Sequence, residues 1–334
     1  MFAVAADDDG VVTGLNTNYL SVEYKGGKKQ NYEIGTTHGI VSGTTIPHTK
    51  VTDLVVGQKF KKLDILIFNS NFFQRSELDS SNVIYKHGAI ARIAFVDNIG
   101  TLEDGCILTE TFAKKLYTPI CKAHSIIVDF DSVIHNLITV GTDVDPETIL
   151  CTLEGFVSDE LQTKDPSAIK ALTKLGHNNP KAEVYGSVTD MEVVYYGNVE
   201  DMHESLQTIV TKFDNKRNKR VSTLGGDDAK TGRITSSIRV DGIKLEPNQL
   251  AIKVYIDSLL DMNAGDKLVV GHQEKSTVTK VVTTEFMTSD GQPIDMEFAY
   301  DSVLRRIVES IVIMGMATSI LKAGTKEMVK HYNS

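Results

Sequence analysis

Short apolar runs closed by glycine and asparagine turns fill the first 80 residues and return between residues 250 and 300, which confines the chain to a strand-rich fold. Residues 10–12, 19–24 and 64–68 are runs of this kind, and Lys25-Gly26-Gly27-Lys28 supplies a turn signal between two of them. Residues 250–256, 267–270, 277–283 and 294–298 repeat the pattern. Residues 89–96 are almost continuously apolar, which predicts a strand buried on both faces. Helical signals are fewer. A short helix is expected over 109–116, and another opens at Asp165-Pro166-Ser167, runs through Ile169, Leu172 and Leu175, and stops at Gly176. Residues 303–332 also read as helix, so the class is α+β and strand-rich.

A chain of 334 residues exceeds one core of typical size and predicts two or more lobes. The texture changes over residues 122–247, where strands at 125–128, 148–153 and 184–194 flank the short helix. A polar segment follows over 200–233. It begins with an amphipathic stripe (Met202, Leu206, Ile209, Val210, Phe213) and continues into Lys212, Lys216, Arg217, Lys219 and Arg220. The stripe reads either as packing on its own module or as a docking surface, and the basic run either as a solvated face or as a nucleic-acid contact. This block is expected to protrude as a mobile module, with a flexible polar loop over 222–232. The resulting division is 1–121, 122–247 and 248–334.

The 44 acidic residues outnumber 35 lysines and arginines, for a net charge of −9. A protein that coats nucleic acid by bulk charge is usually basic, so any such contact must come from local basic clusters, or the basic surface must sit on another subunit. Cys106, Cys121 and Cys151 are odd in number and lack metal-type pairing, which reads as reduced thiols without zinc. Asp7, Asp8 and Asp9 near the start are unlike a signal peptide. The most apolar stretch, 307–321, is interrupted by Glu309 and falls short of the ~20 residues of a membrane span, so it is expected to be a buried helix.

Several fragments imitate catalytic motifs. Gly226-Asp227-Asp228 resembles a polymerase aspartate pair but has polar neighbours, which favour a flexible loop. Asp129-Phe130-Asp131 has two carboxylates at strand spacing but no third member of a metal triad, which favours an exposed turn. The sequence has no Walker phosphate loop, no nucleophile elbow, and no histidine at metal-ligand spacing from a cysteine or second histidine. The most informative segment is 252–296. It contains Ile252-Lys253-Val254-Tyr255, Gly265-Asp266-Lys267, Lys275, and Asp290-Gly291-Gln292-Pro293-Ile294-Asp295. Lysine is a compact point charge suited to phosphate, and Lys267 and Lys275 can point into one cavity. Taken alone, two lysines near turns are an ordinary solvated surface.

The order of these motifs resembles the β-subunit family of multisubunit DNA-directed RNA polymerases. There Ile-Lys-Val-Tyr and Gly-Asp-Lys precede a glycine-rich loop with a second lysine, an Asp-Gly-x-Pro-x-Asp stretch, and a basic stretch that here reads Arg305-Arg306-Ile307. Arg92-Ile93-Ala94-Phe95 followed by Gly100-Thr101-Leu102-Glu103-Asp104 resembles the family's strand and acidic pair. Residues 10–12, 54–68, 138–153 and 186–190 resemble further family segments, the last two being borders of a flap domain, and Gly226-Asp227-Asp228 falls where the flap returns to the core. The loop 271–276 lacks family glycines and an arginine and places Glu274 beside Lys275, where it can pair with the lysine and blunt its charge. Thr101 and Leu102 replace a Tyr-Asn pair. The chain is expected to start well inside a normal β subunit and to stop before its last segments, as in the split β subunits of giant tailed-phage polymerases.

The resemblance implies a double-psi β-barrel core, a flap-like module over 122–247 and a C-terminal helix region. It implies a subunit that is inactive alone. Lys267 and Lys275 would approach the RNA 3′ end and the incoming nucleoside triphosphate, Arg306 the triphosphate, and Glu103 and Asp104 the second Mg2+ of the catalytic pair. The metal-holding aspartate triad would lie on a β′-like partner. The other implied partners are an N-terminal β-like chain, a promoter-specificity factor that docks on Met202, Leu206, Ile209 and Phe213, DNA template and RNA transcript. The implied setting is the cytoplasm of an infected bacterium or a virion, with no membrane role. Two other readings stay open: a catalytically silent polymerase relic, and a non-enzymatic nucleic-acid-binding β-barrel protein.

Overall fold

The computed structural model describes residues 3–41, 43–76, 79–86, 88–153, 179–225, 228–271, 274–306 and 309–333. The chain divides into two compact units, Met1–Lys86 with Pro119–Leu259, and His87–Thr118 with Leu260–Ser334. The helix expected over 165–176 lies outside the described residues, as do Gly226 and Asp227.

In the first unit, a small antiparallel sheet has the order Lys29–Glu33, Tyr19–Tyr24, Gly10–Leu15, Lys59–Phe60. Its leading hairpin turns where the glycines predict. Gly27 takes a left-handed φ of 78° and its N–H donates to the Tyr24 carbonyl at 2.8 Å. Alternation along Tyr19–Tyr24 buries Leu20, Val22 and Tyr24 against Val12, Phe60 and Leu66.

The larger sheet of this unit runs Ala3–Ala5, Ile65–Asn69, Thr44–Val51, Thr118–Asp129, Gln249–Leu260, Gly186–Tyr196, Asp143–Val144, with Gly35–Val41 added to Thr44–Val51. Gln249–Leu260 is covered on both faces. Leu250, Ile252, Val254 and Ile256 are fully buried on one, and Ala251 and Tyr255 are buried on the other. That double burial explains a run too apolar to alternate. The helix Glu204–Leu224 is opened by His203, whose imidazole accepts from the Ser205 N–H, and closed by Gly225 at φ 73°. Met202, Leu206 and Val210 are buried in the same cluster as Ile252, and Ile209 and Phe213 pack against it. The amphipathic stripe is therefore used inside its own unit. The basic half is engaged as well: Arg220 forks onto Glu33 at 2.5 and 3.1 Å, Lys216 meets Asp190 at 2.9 Å, and Arg217 donates to the Thr231 carbonyl at 3.0 Å.

The second unit holds a five-stranded sheet in the order Ile93–Phe95, Met296–Phe298, Gly105–Thr109, Glu274–Val282, Lys267–Val270. Two of its pairings are parallel, Ile93–Phe95 with Met296–Phe298 and Gly105–Thr109 with Glu274–Val282, so their strands are linked by crossovers rather than hairpins. Cys106, Leu108, Phe112, Val278, Met296 and Phe298 form the core. The helix expected near residue 109 is the single turn Glu110–Ala113, capped by the Thr109 hydroxyl.

Two expectations are corrected here. Residues 89–96 are not a doubly buried strand. Only Ile93–Phe95 pairs, at the sheet edge, and Ile90, Phe95 and Val96 are exposed. The apolar run 307–321 is not a buried helix. In Glu309–Asn333 the side chains of Val312, Ile313, Met316, Ile320 and Leu321 are exposed, because no described residue of this chain covers them. Among the described residues no helix is long and apolar enough to cross a membrane.

Replacing Ile252 by alanine is expected to cost about 2–5 kcal/mol of stability, and replacing the exposed Ile243 less than about 0.5 kcal/mol, as read by denaturant unfolding of the purified chain. A second prediction concerns Glu33. Burial raises its carboxyl, but Arg220 and Lys50 outweigh that and hold it below the usual carboxylate range. The folded state thus binds fewer protons than the unfolded one. The benefit is full above the unfolded carboxylate pKa, about 4.3, and fades as pH falls through the lower folded value. Glu33→Gln should therefore lower stability at neutral pH, by up to about 1 kcal/mol because Arg220 is solvent-screened. The gap from wild type should close in acid.

A lysine face beside an acidic turn

Both candidate lysines lie in the second unit on one hairpin. Gly265, at φ 93°, and Asp266 form the turn that feeds it: the Asn263 N–H donates to the Asp266 carboxylate and the Val278 N–H to the Asp266 carbonyl, both at 2.8 Å. The strands Lys267–Val270 and Glu274–Val282 then pair with Lys267 opposite Thr277 and Val269 opposite Lys275. Cross-strand partners point the same way, and residues two apart on a strand share a face. Lys267, Val269, Lys275 and Thr277 therefore occupy one face, on which both lysines are exposed. Val270, Glu274, Ser276 and Val278 occupy the other, which is buried. Diagonal neighbours of this kind stand about 7–8 Å apart, so two flexible stems can bring both ammonium groups to one polyphosphate. Glu274 lies on the opposite face from Lys275, so the pairing that sequence adjacency invites is not made by the strand geometry.

The acidic pair sits at the edge of the same strand. Asn98 opens the single turn Ile99–Thr101, and the Thr101 side chain is buried, accepts from the Asn98 N–H at 2.9 Å and donates to the Val96 carbonyl at 2.6 Å. Thr101, one of the departures from the family pattern, is thus fixed by local hydrogen bonding. Glu103 adopts a left-handed φ of 54°. The Ser302 hydroxyl donates to the Glu103 carbonyl. The Asp104 carbonyl accepts from the Ser276 hydroxyl at 2.8 Å and the Thr277 N–H at 3.0 Å. Since Thr277 is the partner of Lys267, the turn is held beside the first lysine's rung. The Glu103 side chain is exposed and Asp104 half-buried.

The remaining motif residues do structural work. Asp295 accepts from the Arg92 N–H at 2.8 Å through its carboxylate and from the Thr109 N–H at 3.0 Å through its carbonyl. Gly291, at φ 75°, turns the chain between Phe286–Met287 and Pro293–Ile294. Arg305 pairs with Asp301 at 3.0 Å on the helix Tyr300–Arg306. Arg306 ends that helix, and its side chain lies outside the described residues.

No family model matches the chain. Over 307 residues it is 22% identical to the β subunit of DNA-directed RNA polymerase from each of two strains of Thermus thermophilus. The alignment covers 88% of this chain and 25% of the β subunit. The likeness supports an RNA polymerase β-like relationship along most of the chain. The chain spans about a quarter of the length of the curated relatives it matches.

A second cluster, in the first unit, had no signal in the sequence. His38, Cys121 and Asp257 are far apart along the chain, yet one donor atom of each lies within 4.8 Å of the others. His38 Nε2 and Asp257 Oδ1 are 2.9 Å apart, and Thr189 Oγ1 is 3.3 Å from the same nitrogen. Burial and the Asp257 carboxylate push the Cys121 thiol well above its ordinary value. Burial also works to raise Asp257, but hydrogen bonds from His38, Cys121 and Thr189 hold it below the usual range. Only ligands close in sequence leave a spacing motif, and these three meet through strand packing.

The acidic turn has no room for a side chain at Gly105, where a Cβ would come within 2.8 Å of Thr279 Cγ2 and 2.9 Å of the Gly100 carbonyl oxygen. Gly105→Ala is expected to destabilise the chain by about 1–3 kcal/mol, measured as a lowered unfolding midpoint.

Proposed function

We propose that the chain is a β-type subunit of a multisubunit DNA-directed RNA polymerase, inactive alone, of the split kind found in giant tailed-phage enzymes. The single observation that carries this reading is the likeness to polymerase β subunits across 88% of the chain. It is supported by the co-facial Lys267 and Lys275 beside the Glu103-Asp104 turn. In this reading Lys267 and Lys275 orient the RNA 3′ end and the phosphates of the incoming nucleotide, and Arg306 approaches the triphosphate. Cations held against phosphate oxygens favour the charge that develops in the transition state.

The two carboxylates of the turn are oxygen donors, which suits Mg2+, a cation that binds through one or two carboxylates and keeps waters and phosphates as its other ligands. Glu103 and Asp104 would lie near the second such ion, while the aspartate triad that holds the first belongs to a β′-like chain. When bound, Mg2+ supplies charge neutralisation and activation of the attacking hydroxyl. The chain's own share would be to hold the backbone of the acidic turn, through the Ser302 and Ser276 hydroxyls on the Glu103 and Asp104 carbonyls, and to present the lysines.

The assembly would further include an N-terminal β-like chain, a promoter-specificity factor, DNA template and RNA, in an infected bacterial cytoplasm or a virion. In this reading the second unit, an open five-stranded sheet with two parallel pairings, would contribute to a double-psi barrel, and residues 122–247 would serve as the flap. Apolar side chains left uncovered on Glu309–Asn333 are the kind of surface that a partner subunit covers.

The test is to isolate the chain with its partners from producing cells and assay primer extension. A β′-like chain with an aspartate triad should co-purify. Lys275→Ala and Lys267→Ala should each leave assembly intact and slow extension about a hundredfold or more. Full activity in both variants would favour a silent relic. A monomer that binds DNA or RNA alone, with affinity falling steeply with salt, would favour a non-enzymatic binding protein.

A further inference from the structure

His38, Cys121 and Asp257 stand on three strands of the first unit, Gly35–Val41, Thr118–Asp129 and Gln249–Leu260. The His38 and Asp257 side chains retain 4% and 16% of their exposure. The imidazole is stacked on the Tyr255 ring with centroids 4.3 Å apart and planes 7° from parallel. Cys121 is set opposite Thr45 and Asp257 opposite Ser187 by strand pairing. The three donors are thus held by rigid elements, and the histidine ring plane is fixed by its neighbour.

We propose that His38, Cys121 and Asp257 form a binding site for one divalent transition-metal ion of the zinc class. A nitrogen, a sulfur and a carboxylate oxygen are the donors such an ion prefers, whereas Mg2+ and Ca2+ select oxygen. Zinc bonds of about 2.0–2.3 Å put tetrahedral donors roughly 3.3–3.7 Å apart. The present separations, 2.9 Å between His38 and Asp257 and up to 4.8 Å overall, need shifts of about an ångström to close on the metal. Binding breaks the S–H bond of Cys121, releases that proton to solvent and forms a metal–sulfur bond. His38 donates the lone pair of Nε2, so any proton on that nitrogen moves to Nδ1. Thiolate and carboxylate together cancel the two positive charges, which suits a site largely removed from water. Thr189 Oγ1, now 3.3 Å from His38 Nε2, gives up that contact when the nitrogen turns to the metal.

The metal would clamp three strands from distant parts of the sequence. It would do so whether or not the chain serves a polymerase, because no group of the lysine face takes part. Titration of the chelator-treated full chain with Co2+ tests this directly. One equivalent should bind with a thiolate-to-cobalt charge-transfer absorption. Cys121→Ser should abolish that absorption, while Cys106→Ser, whose thiol lies in the core of the second unit, should keep it. His38→Gln and Asp257→Asn should weaken Co2+ binding roughly tenfold or more, and they carry the test if Cys121→Ser does not fold. Zn2+ should raise the thermal midpoint of wild type but not of these variants. A Co2+ complex without the charge-transfer band, a band that survives in Cys121→Ser, or binding unchanged in both His38→Gln and Asp257→Asn would overturn the site. None of these readouts depends on nucleotidyl transfer, so failure here and failure of the polymerase reading are separate results.

Discussion

Two backbone ladders run along Glu274–Val282, antiparallel to Lys267–Val270 on one edge and parallel to Gly105–Thr109 on the other. The first fixes which way the lysines point. The second fixes where the acidic turn ends, because Gly105 is paired with Thr277 and the Asp104 carbonyl accepts from the Thr277 N–H. A slip of Glu274–Val282 by one residue would turn Lys275 into the core and bring Glu274 out, and a slip of Lys267–Val270 would turn Lys267 inward. The buried row Val270, Glu274, Ser276 and Val278 opposes that slip, with apolar contacts and with the Ser276 hydroxyl bonded to Asp104. The chemistry proposed for the exposed face thus depends on packing on the hidden one.

The first unit is organised around a different constraint. Gln249–Leu260 is buried on both faces, so each neighbour must present apolar side chains to it. The helix Glu204–Leu224 meets that demand on one side with Leu206 and Val210. Its charged residues then fall where Glu33 and Asp190 pair with Arg220 and Lys216 and where Arg217 donates to the Thr231 carbonyl, while Lys212, Lys216, Lys219 and Arg220 stay exposed. In an acidic chain of net charge −9, these pairings offset part of the positive charge on the helix.

Much apolar surface is left uncovered by the described residues of this chain. Ile90 and Ile99 in the second unit, with Ile320 and Leu321 on its last helix, are well exposed. Single exposed apolar residues are ordinary, but a helix with several on its surface is not. This agrees with the proposal that the chain works as one part of a larger enzyme, and with the finding that it spans about a quarter of its polymerase relatives.

Much of this was legible in the sequence. Strand period and turn chemistry are local properties, so 19–24, the Gly26-Gly27 turn and 267–270 could be read directly, and the motif order carried the likeness to polymerase β subunits. Burial was less accessible. An apolar run shows that a segment prefers to leave water, but not whether the same chain supplies a cover, which is why 89–96 and 307–321 are more exposed than their composition suggests. Adjacency also misled at Glu274 and Lys275, since neighbours on a strand face opposite ways and only pairing reveals which way is out. The sequence by itself determined the strand-rich class, the turns and the motif order. Tertiary structure alone decided that two lysines share a face, that an acidic turn is tied to their strand, and that His38, Cys121 and Asp257 meet. The physical reason is that those relations are set by registers and packing between segments far apart in the chain.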